Sequence, residues 1–420
     1  MTWPALEINR FCKTGSGGTP STSKKDIYYG GSIPWVKSGE LDDALILSTE
    51  ETLTDIGLSE SSAKWIPAGA ILVAMYGATV GKTALLGINA TSNQAICHIV
   101  PNPQIAENRY LWYALRHSFP RLIAKRVGGA QPNISQKIIS QLSLDIPPLS
   151  EQRRIVEILD QADALRKKRA EADAKAARIL PALFYKMFGD PLALVNSSNG
   201  IPLGNLNVDM QNGFACGEKD VEGGVPHLRM NNIDDVGVLN LELLRTVPLD
   251  RETERYRLTE RDVLFMGTNS EDKIGKTCLF WAPDERTYLF SNHLIRLRVS
   301  DSRITPEYLA GFLHLLWSKR FFPSIAKRWV NQSAVHQSSL AALRIPLPEE
   351  RSLKVFTTTY QDLLFLRAKR QHARKTNDET YAVLLHRAFT GGLTARWREA
   401  HMKELLAEME QQAKALGMSI

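Results

Sequence analysis

Two stretches of the chain carry apolar or small residues at alternating spacings of three and four. In the first, Ile155, Ile158, Ala162, Leu165, Ala172, Ala176, Ile179 and Leu183 follow one another, with Arg169 as the one charged interruption. That period predicts a long helix with a heptad seam. Ser150, after Pro147-Pro148, is the expected N-cap. Pro181 should end or kink the helix near Leu180, leaving a straight part about 46 Å long at about 1.5 Å per residue. The second stretch places Phe356, Leu363, Leu366, Arg370, Ala373 and Leu384 in the same register, with Thr359, Asn377 and Thr380 weakening it. Neither helix can bury such a stripe alone, so the two are expected to pair. Alanines would allow close approach, and Arg169 and Arg370 would set register at some cost in stability.

The segments before each helix have a different grammar. Residues 15–20 are a Gly/Ser/Pro loop, and residues 33–36 and 70–75 read as strands, the latter buried and bounded by Gly69 and Gly77. Thr305 can cap a helix with Pro306 at its first position, running to about Trp317; the matching earlier helix is expected over about 107–117. The pattern predicts a mixed α/β globule ahead of each long helix.

These likenesses are repeats. Ile33-Pro34-Trp35-Val36-Lys37 is echoed by Val225-Pro226-His227-Leu228-Arg229, and Val80-Gly81-Lys82-Thr83 by Ile274-Gly275-Lys276-Thr277. Ile123-Ala124-Lys125-Arg126 recurs as Ile325-Ala326-Lys327-Arg328, and Leu165-Arg166-Lys167-Lys168-Arg169 as Leu366-Arg367-Ala368-Lys369-Arg370. The order is kept at an offset of about 200 residues, the signature of a tandem duplication.

Composition narrows the classes only modestly. The 420 residues allow several domains, and a net charge of +7 (Lys+Arg 52, Asp+Glu 45) permits a polyanionic partner without requiring one. Cys12, Cys97, Cys216 and Cys278 lack metal-ligand spacing and read as thiols in a reducing compartment. The first residues lack the basic start and apolar run of a secretory signal, and no apolar stretch is long enough to span a bilayer. A cytoplasmic location is expected.

Several catalytic motifs fail on inspection. The run from Ala70 to Thr83 looks like a strand entering a phosphate loop, but the first glycine of that motif would fall on Tyr76, or on Ser270 in the second copy. A methyltransferase would need a glycine-rich cofactor loop and an Asn/Asp-Pro-Pro-aromatic tetrad, and Pro147-Pro148 is flanked by Ile146 and Leu149. The carboxylate-bearing patches Pro283-Asp284-Glu285-Arg286 and Ser270-Glu271-Asp272-Lys273 do not recur between copies, and a nuclease needs clustered carboxylates. No catalytic or metal-binding residue is assigned. A coiled-coil adaptor, either DNA-binding or without DNA affinity, and an enzyme, an NTPase using Lys82 or a nuclease, are the rival readings.

What remains is a binding inventory in the loops. The first copy offers Lys24, Lys25, Tyr28, Tyr29, Lys37, Ser38, Tyr76, Thr79, Lys82, Asn93, Gln94, Gln131, Asn133 and Ser135. The second offers Arg229, Asn231, Asn232, Thr268, Asn269, Ser270, Lys273, Lys276, Asn292, His293, Asn331 and Gln332. Lys or Arg can donate to guanine O6 and N7, and Asn or Gln can pair with adenine N6 and N7. Hydroxyls and backbone N–H groups hold phosphates. Scaffold residues match between copies while loop residues differ, as two readers of different half-sites would.

At this point the chain resembles the specificity (S) subunits of type I DNA restriction–modification systems. The resemblance rests on Gly18-Thr19-Pro20-Ser21-Thr22, Ile33-Pro34-Trp35-Val36, Met75-Tyr76-Gly77-Ala78-Thr79-Val80-Gly81-Lys82 and Asn93-Gln94-Ala95. It continues in Ile146-Pro147-Pro148-Leu149-Ser150-Glu151-Gln152 and in the stretch from Ala388 through Gly391-Gly392-Leu393-Thr394 to Trp397-Arg398. The second copy departs from it at Gly213-Phe214-Ala215-Cys216-Gly217 and Met266-Gly267-Thr268-Asn269-Ser270.

The resemblance implies an α+β chain with an internal pseudo-two-fold repeat, in which two mixed α/β target-recognition domains are joined by two long helices forming an antiparallel coiled coil. The expected parts are recognition domains at 1–147 and 198–346, helical spacers at 148–197 and 347–395, and a helical tail at 396–420. It implies double-stranded DNA with a bipartite site as ligand, two methyltransferase (M) subunits carrying S-adenosylmethionine, and restriction (R) subunits using ATP and Mg. The S subunit itself would be non-catalytic, with no cofactor of its own. The tail (Leu405, Leu406, Met409, Ala413, Leu416) reads as an amphipathic helix that either helps hold an M subunit or is a frayed end.

Overall fold

A computed structural model describes residues 3–124, 133–218, 220–329 and 332–417. The chain forms two compact units: residues 1–168 with 374–420, and residues 169–373.

Each unit is built on the same sheet plan, as the repeated sequence requires. In the first, strands Cys12–Ser16, Ile96–Pro101, Ile71–Ala74, Thr83–Leu86 and Ala44–Ile46 lie in that spatial order. In the second, the order is Val208–Asn212, Leu294–Val299, Val263–Met266, Thr277–Leu279. A smaller sheet accompanies each: Tyr29–Val36 between Glu51–Leu53 and Thr91–Ser92, and Val225–Leu228 between Arg245–Val247 and Leu289–Phe290. The central strands Ile71–Ala74 and Val263–Met266 are buried at every position, which is why they read as unbroken apolar runs.

A helix covers each sheet. Pro306–Ser318 starts as expected, with the Thr305 hydroxyl accepting from Tyr308 N and Pro306 at the first position. Its counterpart, Asn108–Ala124, is longer than the sequence pattern indicated. The second unit's core stacks Phe184 on Tyr308 and Phe312 at 5.6 and 6.1 Å and sets Phe356 edge-on at 5.7 Å. The first unit's core joins Tyr110, Trp112 and Phe119 to Ile155, Leu159 and Ala388 from the long helices.

The long helices are Leu149–Ala177 and Glu350–Phe389. Ser150 lies inside the first rather than capping it, and its N–H donates to the Glu408 carboxylate at 2.9 Å. The helix breaks at Arg178, before Pro181, which sits in the first turn of the next helix, Ile179–Phe188. A proline is tolerated there because that turn's N–H groups have no partner within the helix.

The expected apolar seam is corrected. Ile155 is buried, but Leu165 and Leu366 are 58% and 51% exposed and Ala172 is exposed. Ile158, Arg169, Leu363, Arg370 and Ala373 are half-buried. Beyond the apolar packing of Ile155 and Leu159 with Ala388, polar contacts join the helices. In the first unit Arg166 Nε donates to Asp378 at 2.9 Å and its guanidinium lies 4.4 Å from the Tyr381 ring. In the second, Arg169 donates to the Arg370 carbonyl at 3.1 Å, and Arg370 lies 3.9 Å from Asp173. Counting apolar side chains places the stripe wrongly because ion pairs and a buried tyrosine occupy the facing positions.

The helix Met402–Ala415 is packed into the first unit, so the tail is not frayed over its described length. Leu405 is fully buried, and the Gln412 amide donates to the Ile105 and Pro147 carbonyls at 2.9 and 3.3 Å. The Gln152 amide donates to the same two carbonyls, both at 2.8 Å. Among the described residues no helix is long and apolar enough to cross a membrane.

Candidate nucleic-acid interface

A shared hydrogen-bond skeleton holds the loops in both units. In the first, Gly81 N donates to Ala74 O at 2.9 Å, Met75 N to Ala95 O at 2.8 Å and Ile134 N to Met75 O at 2.8 Å. In the second, Gly275 N donates to Met266 O, Gly267 N to His293 O and Val335 N to Gly267 O, all at 2.9 Å. Gly81 and Gly275 hold φ at +78° and +90°, in the left-handed region that glycine adopts without a steric cost. Gly17 and Gly213 recur for a different reason. A Cβ on the first would strike the Ser92 and Asn93 carbonyls, and on the second those of Phe290 and Ser291.

The skeleton brings Tyr76 of the first unit close to Gln94 and Asn133, with Thr79 on the loop that follows Tyr76. Tyr76 is 38% exposed, Gln94 and Asn133 are exposed, and Thr79 is half-buried with its carbonyl accepting from Lys82 N. The Asn93 side-chain oxygen is buried without a partner, and Gln94 accepts from the Thr19 hydroxyl. In the second unit Thr268 and Asn269 stand beside His293, with Asn292 exposed on the same loop. Lys273, Asn231 and Gln332 are exposed as well. Gln131 and Asn331 lie outside the described residues.

Most of the predicted cations are already paired. Lys24 Nζ donates to Tyr28 Oη at 2.8 Å and lies 3.5 Å from Glu60; the hydrogen bond to Tyr28, with the Glu60 carboxylate behind it, raises its pKa. Lys37 sits 2.8 Å from Glu50 and 3.3 Å from Glu51, and Ser38 opens the short 3-10 turn that follows. Lys82 Nζ lies 3.2 Å from Asp43, whose other oxygen accepts from both the N–H and the hydroxyl of Thr83. Lys276 is 6% exposed, paired with Asp235 and set 5.3 Å from the Trp317 ring. Asn232 is fully buried and braces its own loop, accepting from Arg229 N and donating to the Asn240 carbonyl, both at 2.8 Å. Arg229 is half-buried, and burial lowers its pKa, with Arg245 adding to the effect.

The carboxylates that claim these lysines escaped the sequence reading, although a signal was present. Leu41-Asp42-Asp43 and Ile233-Asp234-Asp235 recur at the same place in each copy. Asp234 also reaches Arg367 of the long helix at 3.1 Å and accepts from Val236 N and Val238 N. Among the described residues no group of three or more His, Cys, Asp or Glu side chains could hold a metal ion.

Two histidines, the buried His227 and the half-buried His314, are expected to give the second unit a pH dependence. Burial lowers His227 and His314 to about 4. Because the fold favours their neutral forms, their contribution is whole above the ordinary value near 6.5 and is lost as pH falls toward 4. The unfolding free energy of the second unit, read by urea titration, is expected to drop across that window by up to about 3 kcal/mol per histidine at about 1.4 kcal/mol per pKa unit, lowering the urea midpoint. His314→Gln should flatten the slope, and a midpoint independent of pH would disprove the account.

Comparison with known proteins fits this arrangement. Residues 2–173 match the type I restriction modification DNA specificity domain. The type I restriction enzyme EcoR124I/EcoR124II specificity subunit of Escherichia coli is 33% identical over 171 residues, 39% of this chain and 41% of that protein. That alignment spans about two-fifths of the relative's length. The StySPI specificity subunit of Salmonella potsdam is 22% identical over 389 residues, covering 87% of this chain and 83% of that one. The crystal structure of the type I restriction–modification S subunit from M. genitalium superposes with a TM-score of 0.56 at 16% identity, covering 92% of this chain and 96% of that one. With the duplicated sheets and matched loop skeletons beside these likenesses, residues 2–173 carry the type I restriction modification DNA specificity domain, and the chain over most of its length is similar to type I specificity subunits.

Proposed function

We propose that this protein is the DNA-binding specificity subunit of a type I restriction–modification complex, without catalysis of its own. Its two units would each read one half of a bipartite double-stranded site. The observation that carries this reading is one hydrogen-bond skeleton used twice under different exposed side chains. Tyr76, Gln94 and Asn133 stand exposed on the first copy, and Asn292 and Gln332, beside the half-buried Thr268, on the second. Loops of each unit would enter the major groove of one half-site, and half-sites about one helical turn, roughly 34 Å, apart would face the same side of the DNA.

The paired cations take different parts in this reading. Lys276 and Asn232 support their loops from inside and leave the contacts to neighbours such as Lys273 and Asn231. Lys82 is half-exposed, so it can exchange Asp43 for a phosphate. Lys82→Ala is expected to weaken binding on every sequence and to reduce the salt slope by about 0.9, the value for one phosphate contact. Lys276→Ala is expected to lower stability instead. An unchanged salt slope in Lys82→Ala would remove that residue from the interface.

Two methyltransferase subunits carrying S-adenosylmethionine would dock on the helical spacers, and restriction subunits using ATP and Mg would join for cleavage, all in the cytoplasm. The long helices would pair as an antiparallel coiled coil that sets the unread spacer. The test is to co-express the chain with its genomically neighbouring methyltransferase and map methyladenine in the host DNA. A split motif of two unlike halves with a fixed spacer is the expected result. No methylation from an active, associated methyltransferase would overturn the reading.

A further inference from the structure

The second unit carries a three-stranded ribbon, of which the candidate interface above takes in only Thr268–Asn269 and Gln332. Lys327–Arg328 pairs antiparallel with Ser333–Ala334, which pairs in turn with Thr268–Asn269. Trp329 N donates to Gln332 O at 2.8 Å and extends this pairing. Ser333, Ala334 and Val335 are buried, so the base of the ribbon is anchored in the unit. Its outer part is solvent-facing: Lys327 and Arg328 are exposed and the Trp329 side chain is 52% exposed.

An indole is costly to leave in water, and an exposed one on a cationic ribbon signals a binding surface. Trp65, Trp281 and Trp329 are the exposed tryptophans among the described residues, and of these Trp329 has a cation over its ring, Lys327 Nζ at 5.6 Å. Arg328 lies 2.9 Å from Glu271, and both are more than half exposed, a weak pair that a phosphate can replace.

The two copies point the same way. Ile134 N donates to Met75 O and Val335 N to Gly267 O, so the residues that follow, Tyr76 and Thr268, hold equivalent places. The first unit thus has an exposed aromatic on its loop where the second has a threonine, and the second has its aromatic on the adjoining ribbon. In sequence the Lys-Arg pair is common to both copies (Lys125-Arg126 and Lys327-Arg328), whereas the next residue is Val127 in one and Trp329 in the other. Shared cations beside a divergent reader suit a shared phosphate contact beside a different base.

We propose that the paired strands Lys327–Arg328 and Ser333–Ala334, with Trp329, form a DNA-reading element of the second unit, with Trp329 in apolar contact with a base edge in the major groove and Lys327 on a flanking phosphate. A two-stranded ribbon fits that groove, where the thymine methyl is the apolar feature an indole can meet. The proposal deepens the DNA-reading function above and rests on it.

The test uses the complex of this chain with its methyltransferase subunits and a fluorescent duplex carrying the mapped motif. A duplex without the motif serves as reference. Trp329→Ala is expected to weaken binding to the motif about tenfold, about 1.4 kcal/mol, and to leave the reference unchanged. Trp329→Phe should keep most of the affinity. Lys327→Ala should weaken both duplexes and reduce the salt slope by about 0.9. Thermal melts check the fold, and the exposed indole leaves no cavity when removed. Motif affinity unchanged in Trp329→Ala, or equal losses on both duplexes, would overturn the assignment of Trp329. A wild-type complex with no preference for the motif would overturn the specificity function and the reading element with it.

Discussion

Arg398→Ala is expected to cost the first unit about 3–5 kcal/mol, the penalty for stranding a buried charge without its partner. Glu151 has 1% side-chain exposure and Arg398 11%. Arg398 Nε donates to Glu151 at 2.8 Å, and its other arm reaches the Gly391 carbonyl at 2.9 Å. The remaining capacity of the carboxylate is taken by the Thr394 hydroxyl at 2.6 Å and the Trp3 indole N–H at 3.1 Å. The guanidinium also lies 4.8 Å from the Trp3 ring. One buried carboxylate therefore joins residues from both ends of the described chain to the first long helix. Arg398→Lys keeps the charge but not the fork, and should fall between wild type and Ala. Urea unfolding followed by tryptophan fluorescence reads the loss, with the second unit's transition as an internal reference. A change below about 1 kcal/mol would mean that the pair is hydrated and weak.

Lengthening both long helices by the same four residues is the second large effect. On the proposed reading, about 6 Å of added helix, at about 1.5 Å per residue, should widen the unread spacer by about two base pairs. Methylation at the original spacing should disappear, while both half-site sequences persist at the new one. Mapping methyladenine in cells carrying the lengthened chain measures this directly. A folded, active variant that keeps the original spacer would mean that the helices do not set the distance.

Sequence exposed the architecture better than the contacts. The duplication, the buried strands and the Thr305-Pro306 helix start were legible because each rests on local chemistry or self-similarity. The helix seam was misjudged because hydrophobic periodicity cannot register an Arg166–Asp378 pair or a facing Tyr381. Candidate contacts suffered in the same way. Lys276 looks like a phosphate ligand until Asp235, distant in sequence, is seen to hold it. Trp329 was passed over because the Asn and Gln residues of neighbouring loops match base-reading chemistry more obviously than an indole does. Its exposure is a property of the folded ribbon.

The composition of the two units also bears on how the chain is made. The second unit is one continuous segment, residues 169–373, whereas the first needs residues 374–420 as well as 1–168. On the ribosome the early segment must wait for Ala388, Arg398 and Leu405 to emerge before its core can close. The later-encoded unit can finish first, reversing the usual N-terminal-first order of synthesis. During that wait, Ile155 and Leu159 are uncovered and Glu151 has no arginine. A released chain truncated after residue 373 should therefore present a folded second unit and a protease-sensitive first one.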